Sequence, residues 1–272
     1  MPGPGDTTAE PLIDPTVAHT ARVYNYLLGG TTNFEPDREA AQLAAKAVGG
    51  FEVASTSVKS NRVFLAQAVR YLAGEAGVRQ FLDIGTGIPS ADNAHEVALE
   101  ARPDARVVYV DNDPIVLAHA HQLLPNEAPG STAFVLGDLF RPDDLLAKAG
   151  KTLDLSEPVA VLLIAVLHHY DEASGCYDVV SHIMDAMPAG SYLAMTHLTD
   201  DMQTDEMRAL AASVPQSARY RFTSRTRDEF ARFFEGLELV EPGLVPIDQW
   251  RPDQWPMTPE GRYHYGAVGR KP

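Results

Sequence analysis

Asp83, Asp111 and Asp138 each sit at or near the end of a short apolar run. Phe81–Ile84 carries Asp83 and breaks into Gly85-Thr86-Gly87. Glycines at this spacing can take positive φ and let the backbone approach a ligand closely. At the carboxyl end of the first strand of an open α/β sheet, such a turn is where nucleotide-like ligands bind. The dinucleotide fingerprint asks for a third glycine three residues after the second, and Ser90 stands there. A carboxylate at Asp83 would also repel a diphosphate, whereas it suits a cation such as the sulfonium and ammonium of S-adenosylmethionine. Arg106–Asp111 reads as the next strand. The two oxygens of its terminal carboxylate match the vicinal hydroxyls of a ribose. Thr132–Leu136 is a third strand, followed by Gly137-Asp138, where a carboxylate can accept an adenine amino hydrogen.

The histidines suggest the other half of the chemistry. Pro158–Leu167 is a continuous apolar run rich in branched residues, and it reads as the central parallel strand, buried on both faces. It ends in His168-His169, at the switch point where catalytic groups of such sheets collect. A sulfonium is already an activated methyl donor. The protein must align the nucleophile and take its proton if it is a hydroxyl or an amine, and an imidazole titrating near neutrality suits that task. One of these two histidines is therefore expected to act as general base or substrate anchor. His197, at the end of the next strand, Ser191–His197, is a second candidate. No metal site is expected. His119 and His121 fall on different faces of their predicted helix, and adjacent His168 and His169 diverge. No Gly-x-Ser-x-Gly occurs, and Cys176 has no evident activating partner.

The elements that must position these groups follow from the hydrophobic pattern. Residues 1–13, rich in proline and glycine, are expected to be a disordered tail. The rest, 14–272, reads as one domain: a helical cap over 14–75 and an α/β core over 76–272. Asp14-Pro15 opens a helix that Gly29-Gly30 closes; helices over 37–48 and 57–72 follow. A helical prefix of this kind can cover a sheet edge or close over the ligand crevice. Tyr24, Tyr26, Asn33, Asn61 and Arg62 are therefore candidates to line the site, with Arg62 suited to a carboxylate. Beyond His169 the pattern predicts helices over 177–187 and 200–213. The capping box Thr226–Glu229 opens another, and strands follow over 237–240 and 263–270, with Trp250 and Trp255 in their joining loop.

Asp83-Ile-Gly-Thr-Gly87, Val110-Asp-Asn-Asp-Pro114 and Gly137-Asp138 resemble the first three motifs of class I S-adenosylmethionine-dependent methyltransferases. Tyr24–Gly30 with Asn33-Phe34, Asn61-Arg62, Phe81–Gly87, Val108–Pro114 and His168-His169-Tyr170 resemble one bacterial family known only as S-adenosyl methyltransferase. The resemblance implies a doubly wound, Rossmann-like α/β fold with a seven-stranded sheet ordered 3-2-1-4-5-7-6, its last strand antiparallel. It implies S-adenosylmethionine as cofactor, with Asp83, Gly85 and Gly87 at the methionine end, together with Arg62. Asp111 would hold the ribose and Asp138 the adenine amino group, with Asn112 and Leu139 flanking the base. The N-terminal helices would be the lid over an acceptor pocket.

A formal net charge of −15 argues against a nucleic-acid backbone or an anionic membrane surface as partner. Arg219, Arg221, Arg225 and Arg227 form a local exception. A single cysteine excludes an intrachain disulfide, no apolar run reaches membrane-spanning length, and a cytoplasmic protein is expected. The leading expectation is methyl transfer to a small-molecule acceptor through oxygen or nitrogen. Its rivals are a protein that binds S-adenosylmethionine without transfer, a different S-adenosylmethionine-dependent reaction such as cyclisation, and a nicotinamide oxidoreductase.

Overall fold

The computed structural model describes residues 14–90, 92–123, 132–206, 208–209, 222–251 and 263–272. The expected tail, Trp255, Arg219, Arg221 and part of the helix expected over 200–213 (residues 207 and 210–213) lie outside them. The chain begins with α1 (Thr20–Leu27), α2 (Glu35–Ala47) and α3 (Phe51–Arg70), the last continuing into one π-helical turn, Tyr71–Glu75. Then come β1 (Gln80–Ile84), α4 (Ala94–Ala101), β2 (Arg106–Asp111), α5 (Pro114–Leu123), β3 (Thr132–Leu136), α6 (Pro142–Ala149) and β4 (Val159–Ile164). The rest is α7 (Cys176–Asp185), β5 (Tyr192–Leu198), α8 (Arg227–Ala231), β6 (Glu238–Leu239), β7 (Val245–Pro246) and β8 (His264–Arg270).

The sheet order is β3-β2-β1-β4-β5-β8-β6, with the first five strands parallel and β8 antiparallel to β5. This is the expected doubly wound order with one difference. The outer position is shared by two short strands, β6 and β7, which pair with opposite ends of β8 and make an eight-stranded sheet. Pro242 and Gly243 lie between them, and proline lacks the N–H a continuous ladder needs.

Alternating side chains feed two cores. On one face Leu82, Val108, Val161 and Leu193 meet Leu145 of α6, Val180 and Ile183 of α7, and Phe230, Phe233 and Phe234. On the other, Phe81, Val107, Ala160, Leu162 and Val268 meet Phe64, Leu65, Ala68, Val69 and Leu72 of α3. Trp250, fully buried, closes that face against Phe64 at a ring distance of 5.2 Å. The C-terminal half of α3 is thus part of the core. Only its first half joins α1 and α2 in a separate small cluster built on Val23, Leu27, Ala41, Ala45 and Ala54. One apolar stripe along α3 thus serves both clusters. The buried Arg22–Asp37 pair, 2.8 Å, ties α1 to α2. No helix among the described residues is long and apolar enough to cross a membrane.

The apolar run over 158–167 is not all strand. β4 stops at Ile164, and Ala165 takes φ +59°, a left-handed conformation rare for alanine. Its N–H donates to Thr196 Oγ1 at 2.9 Å, and Leu167–His169 then forms a 3₁₀ turn. Tertiary hydrogen bonding ends the strand where hydrophobicity alone would have continued it.

Candidate active site

The turn after β1 is built on two positive-φ glycines, Gly85 (+75°) and Gly87 (+66°). A Cβ on Gly85 would lie 2.5 Å from Val166 Cγ2, so this glycine lets the turn after β4 press against the turn after β1. A Cβ on Gly87 would meet nothing within 4 Å. That position borders open space, and its N–H donates to Asp111 Oδ2 at 2.9 Å. Asp111 Oδ1 accepts from Asp113 N at 3.0 Å, so one carboxylate joins the two loops. Burial pushes the Asp111 carboxyl above its ordinary range, against these hydrogen bonds. Asp83 is only 5% exposed. Burial drives its carboxyl up to about 7; Arg62 of α3 opposes this and Asp111 adds to it. A cation placed beside it would favour its ionised form.

Across the crevice, Asp138 Oδ1 accepts from Phe140 N at 2.9 Å, fixing the turn after β3. The ring of Tyr170 packs edge-on against Phe140 at 4.7 Å. Burial raises its hydroxyl pKa, and Asp138 and Asp111 add to the rise while Asn112 opposes it, so the phenol faces all three. The N-terminal segment reaches the same rim: His19 Nε2 lies 2.9 Å from Asp113 Oδ2. His19 Nδ1 accepts from Ala21 N, so the proton sits on Nε2 and donates to Asp113.

The 3₁₀ turn after β4 carries His168 and His169. His168 is 6% exposed, and its ring lies 4.5 Å from His169, 5.4 Å from Phe222, 6.1 Å from His197 and 6.2 Å from His264. Its Nδ1 is buried with no hydrogen-bond partner among the described residues. Burial holds its pKa well below the ordinary histidine range, and the three neighbouring imidazoles and Arg225 act the same way. Burial likewise holds His169 at about 4, with His19 adding to the effect. Both rings are neutral at physiological pH. Beneath them, Asn61 Nδ2 lies 3.1 Å from His264 Nε2, which must accept; His264 Nδ1 then donates to Ser57 Oγ at 3.2 Å. Asn61 Oδ1 accepts from Thr196 Oγ1 at 2.6 Å, the same hydroxyl oxygen that receives the Ala165 N–H.

These features converge on one known architecture. Residues 6–272 match the family described as S-adenosyl methyltransferase. The chain belongs to the S-adenosyl methyltransferase family. A DUF574 family protein from Streptomyces avermitilis MA-4680 shares 40% identity over 94% of this chain and 98% of that one, with a TM-score of 0.85. A candidate methyltransferase from Thermobifida fusca YX shares 40% identity over 94% and 95%, with a TM-score of 0.83. The N-methyltransferase NodS from Bradyrhizobium japonicum WM9, in complex with S-adenosyl-L-homocysteine, aligns over 92% and 99% at 14% identity and a TM-score of 0.50, a likeness of fold alone. No curated protein matches. The protein is an S-adenosylmethionine-dependent methyltransferase of class I fold.

In this methyltransferase, Asp83, Gly85, Gly87, Asp111, Asn112 and Asp138 lie at or just past the carboxyl ends of β1, β2 and β3; Arg62 of α3 acts on Asp83, and Val166, just before His168, packs against Gly85. Among the described residues no group of three or more histidine, cysteine or acidic side chains is arranged to hold a metal. Four of the expected site residues are engaged by other parts of the fold. Leu139 is 5% exposed and its side chain belongs to the main core cluster, together with Leu145. Tyr26 lies inside the cap, where Gln42 donates to its hydroxyl at 3.3 Å and Phe51 packs edge-on at 5.4 Å. Asn33 is a loop staple: its amide donates to Asn25 Oδ1 and Gly30 O, and its Oδ1 accepts from Arg38. His197 is fully buried, with Nδ1 donating to Leu198 O and Nε2 accepting from Arg225, so it has no face for a substrate. Tyr24 stands near Arg62, yet its hydroxyl donates to Val58 O at 3.0 Å, and burial pushes it up to about 12. It braces α1 on α3. Arg225 is 3% exposed and is no part of a surface patch. Sequence reasoning gave no role to His19, Tyr170 or Arg225. Only Tyr170, next to the paired histidines, carried a signal that could have flagged it.

Proposed function

We propose that this methyltransferase acts on a small-molecule acceptor bearing a hydroxyl or amine, with His168 as the residue that receives it. The observation that carries this is His168 Nδ1: buried, unpartnered and neutral, on a turn whose Val166 packs directly against Gly85. When bound, S-adenosylmethionine supplies an electrophilic methyl on a positively charged sulfur. The residues present fit it, since Asp83 offers a buried carboxylate to a cation and Gly87 offers open approach. Asp83 and Arg62 would hold the ammonium and carboxylate of the methionine end. Asp111 would accept the ribose hydroxyls, and Asp138 with Asn112 would meet the adenine.

On the acceptor side, His168 Nδ1 accepts a hydrogen bond from the nucleophile and orients its lone pair toward the methyl carbon. His168 Nδ1 would take the proton that the hydroxyl or amine gives up on methylation. A base of lowered pKa serves an acidic hydroxyl best, and His169 is the second proton acceptor within reach. A net charge of −15 supports a small acceptor over a nucleic acid. A cytoplasmic setting belongs to the same proposal. The test measures S-adenosyl-L-homocysteine release with a panel of small phenols, carboxylic acids and amines, beside protein and nucleic-acid fractions. Turnover with a small compound, lost in both His168→Gln and His168→Ala, is expected. Turnover with macromolecules alone would refute the small acceptor, and full activity in both variants would remove His168 from the chemistry.

A further inference from the structure

Arg225 is a buried cation with no carboxylate partner among the described residues. A guanidinium has five N–H donors, and here each one has an acceptor. Nε donates to Tyr177 Oη at 3.1 Å. Nη1 donates to Leu167 O at 3.3 Å and to His197 Nε2 at 2.6 Å. Nη2 donates to Tyr170 O at 3.2 Å and to Cys176 Sγ at 3.1 Å. Its plane also lies 5.4 Å from the ring centroids of both Tyr177 and Phe233. No donor is left for a substrate, so this arginine does not bind one.

The acceptors show what it does instead. Leu167 O and Tyr170 O bracket His168 and His169, the two residues proposed to face the acceptor. Between them, His168 O accepts from Thr223 N at 2.7 Å, and Phe222 packs at 5.4 Å on both imidazoles. Arg225 N itself donates to Leu198 O at the end of β5. The short stretch 222–225 therefore grips the 3₁₀ turn from one end to the other and anchors it to the sheet.

We infer that Arg225 is the positioning residue of the acceptor side, holding the His168–Tyr170 turn by its two flanking carbonyls. The inference rests on the proposed role of His168, but its test reads the turn directly and can fail while that role stands. Lysine keeps the charge with only three donors in a different geometry, so it cannot complete the clamp. The electrostatics point the same way: His168 is faced by His169, His197, His264 and Arg225, and the guanidinium favours its neutral form.

The experiment compares wild type, Arg225→Lys and Arg225→Met by amide hydrogen exchange and by NMR titration of ¹⁵N-labelled histidines. The amides of His169 and Tyr170, bonded to Val166 O and Leu167 O, report on the turn. Those of Leu82 and Val161 report on the sheet. Both variants are expected to speed exchange at the turn by about tenfold or more while leaving the sheet amides unchanged, a local opening rather than global loss. His168 titration is expected to stay depressed in Arg225→Lys and to move upward in Arg225→Met. Unchanged turn exchange in both variants would overturn the clamp. So would an increase spread evenly over turn and sheet, which would make Arg225 a core-stabilising residue only. If Arg225→Met does not fold, Arg225→Lys alone decides between these outcomes. Faster turn exchange with no change in His168 titration would leave the clamp standing and overturn its electrostatic part.

Discussion

Replacing Asp83 with asparagine should stabilise the unliganded protein and impair its function, and the two effects should have opposite pH signatures. The Asp83 carboxyl rises from 3.8 to about 7 on folding, chiefly by burial. A folded pKa above the unfolded one means the contribution to stability is complete below about pH 4 and is lost as pH rises through about 7. Integrating the linkage, burying Asp83 costs at most roughly 1.7 kcal/mol at pH 5, where the folded carboxyl must take up a proton, and roughly 4 kcal/mol at pH 8, where it is mostly ionised. The neutral isostere removes that term at every pH. Asp83→Asn should therefore gain stability over wild type, and the gain should grow by about 2–3 kcal/mol from pH 5 to pH 8. For a domain of this size that is a further rise of roughly 5–10 °C in melting temperature. Taking the difference between the two proteins at each pH cancels the histidines, which titrate in the same window. Scanning calorimetry at pH 5 and pH 8 reads the stability. Titration calorimetry with S-adenosyl-L-homocysteine at pH 8 reads the binding, which should weaken by tenfold or more as the carboxylate opposite the ligand ammonium is lost. A variant no more stable than wild type at pH 8, or equally stabilised at both pH values, would refute the account of Asp83 as a buried carboxylate reserved for a cation.

Gly85→Ala should cost about 2–3 kcal/mol and abolish ligand binding, because φ +75° and a 2.5 Å approach to Val166 both oppose a Cβ; chemical denaturation checks it. Gly87→Ala, with a similar φ and open space, should cost only about 1 kcal/mol in the same assay while still weakening binding. Asn61→Ala should cost about 2–4 kcal/mol by urea unfolding, since it leaves His264 Nε2 and the Thr196 hydroxyl without their buried partner. Burial lowers His197 and His169 to about 4 and His264 to about 3, below their unfolded value. Their stabilisation is thus present above about pH 6.5 and lost as pH falls toward 4, so His264→Phe should flatten the acid limb of a pH–stability curve.

The glycine turn and the acidic strand ends of the proposed cofactor side are local features, and the sequence alone displays them. Asp83, Asp111 and Asp138 each close a short strand, and parallel register alone brings three successive strand ends to one edge. The glycine turn needs positive φ, which the residue type announces. The strand order and the antiparallel β8 were implied by the family resemblance alone, since periodicity does not fix strand order. Which polar groups stay available on the proposed acceptor side was decided by partners far apart in the chain. His197 ends a strand just as His168 nearly does, yet an arginine 28 residues later takes its free nitrogen, and no local pattern distinguishes the two. Tyr24 and Tyr26 are two residues apart on one helix. One braces α3 beside Arg62 and the other turns into the cap, because a helix rotates about 200° between them. β4 ends early because a threonine on β5 captures the Ala165 N–H. Residue type and short-range spacing thus set what the chain can bind. Which polar side chains stay available for chemistry depends on long-range hydrogen bonds, since a buried group is free only if nothing from elsewhere in the fold has reached it first.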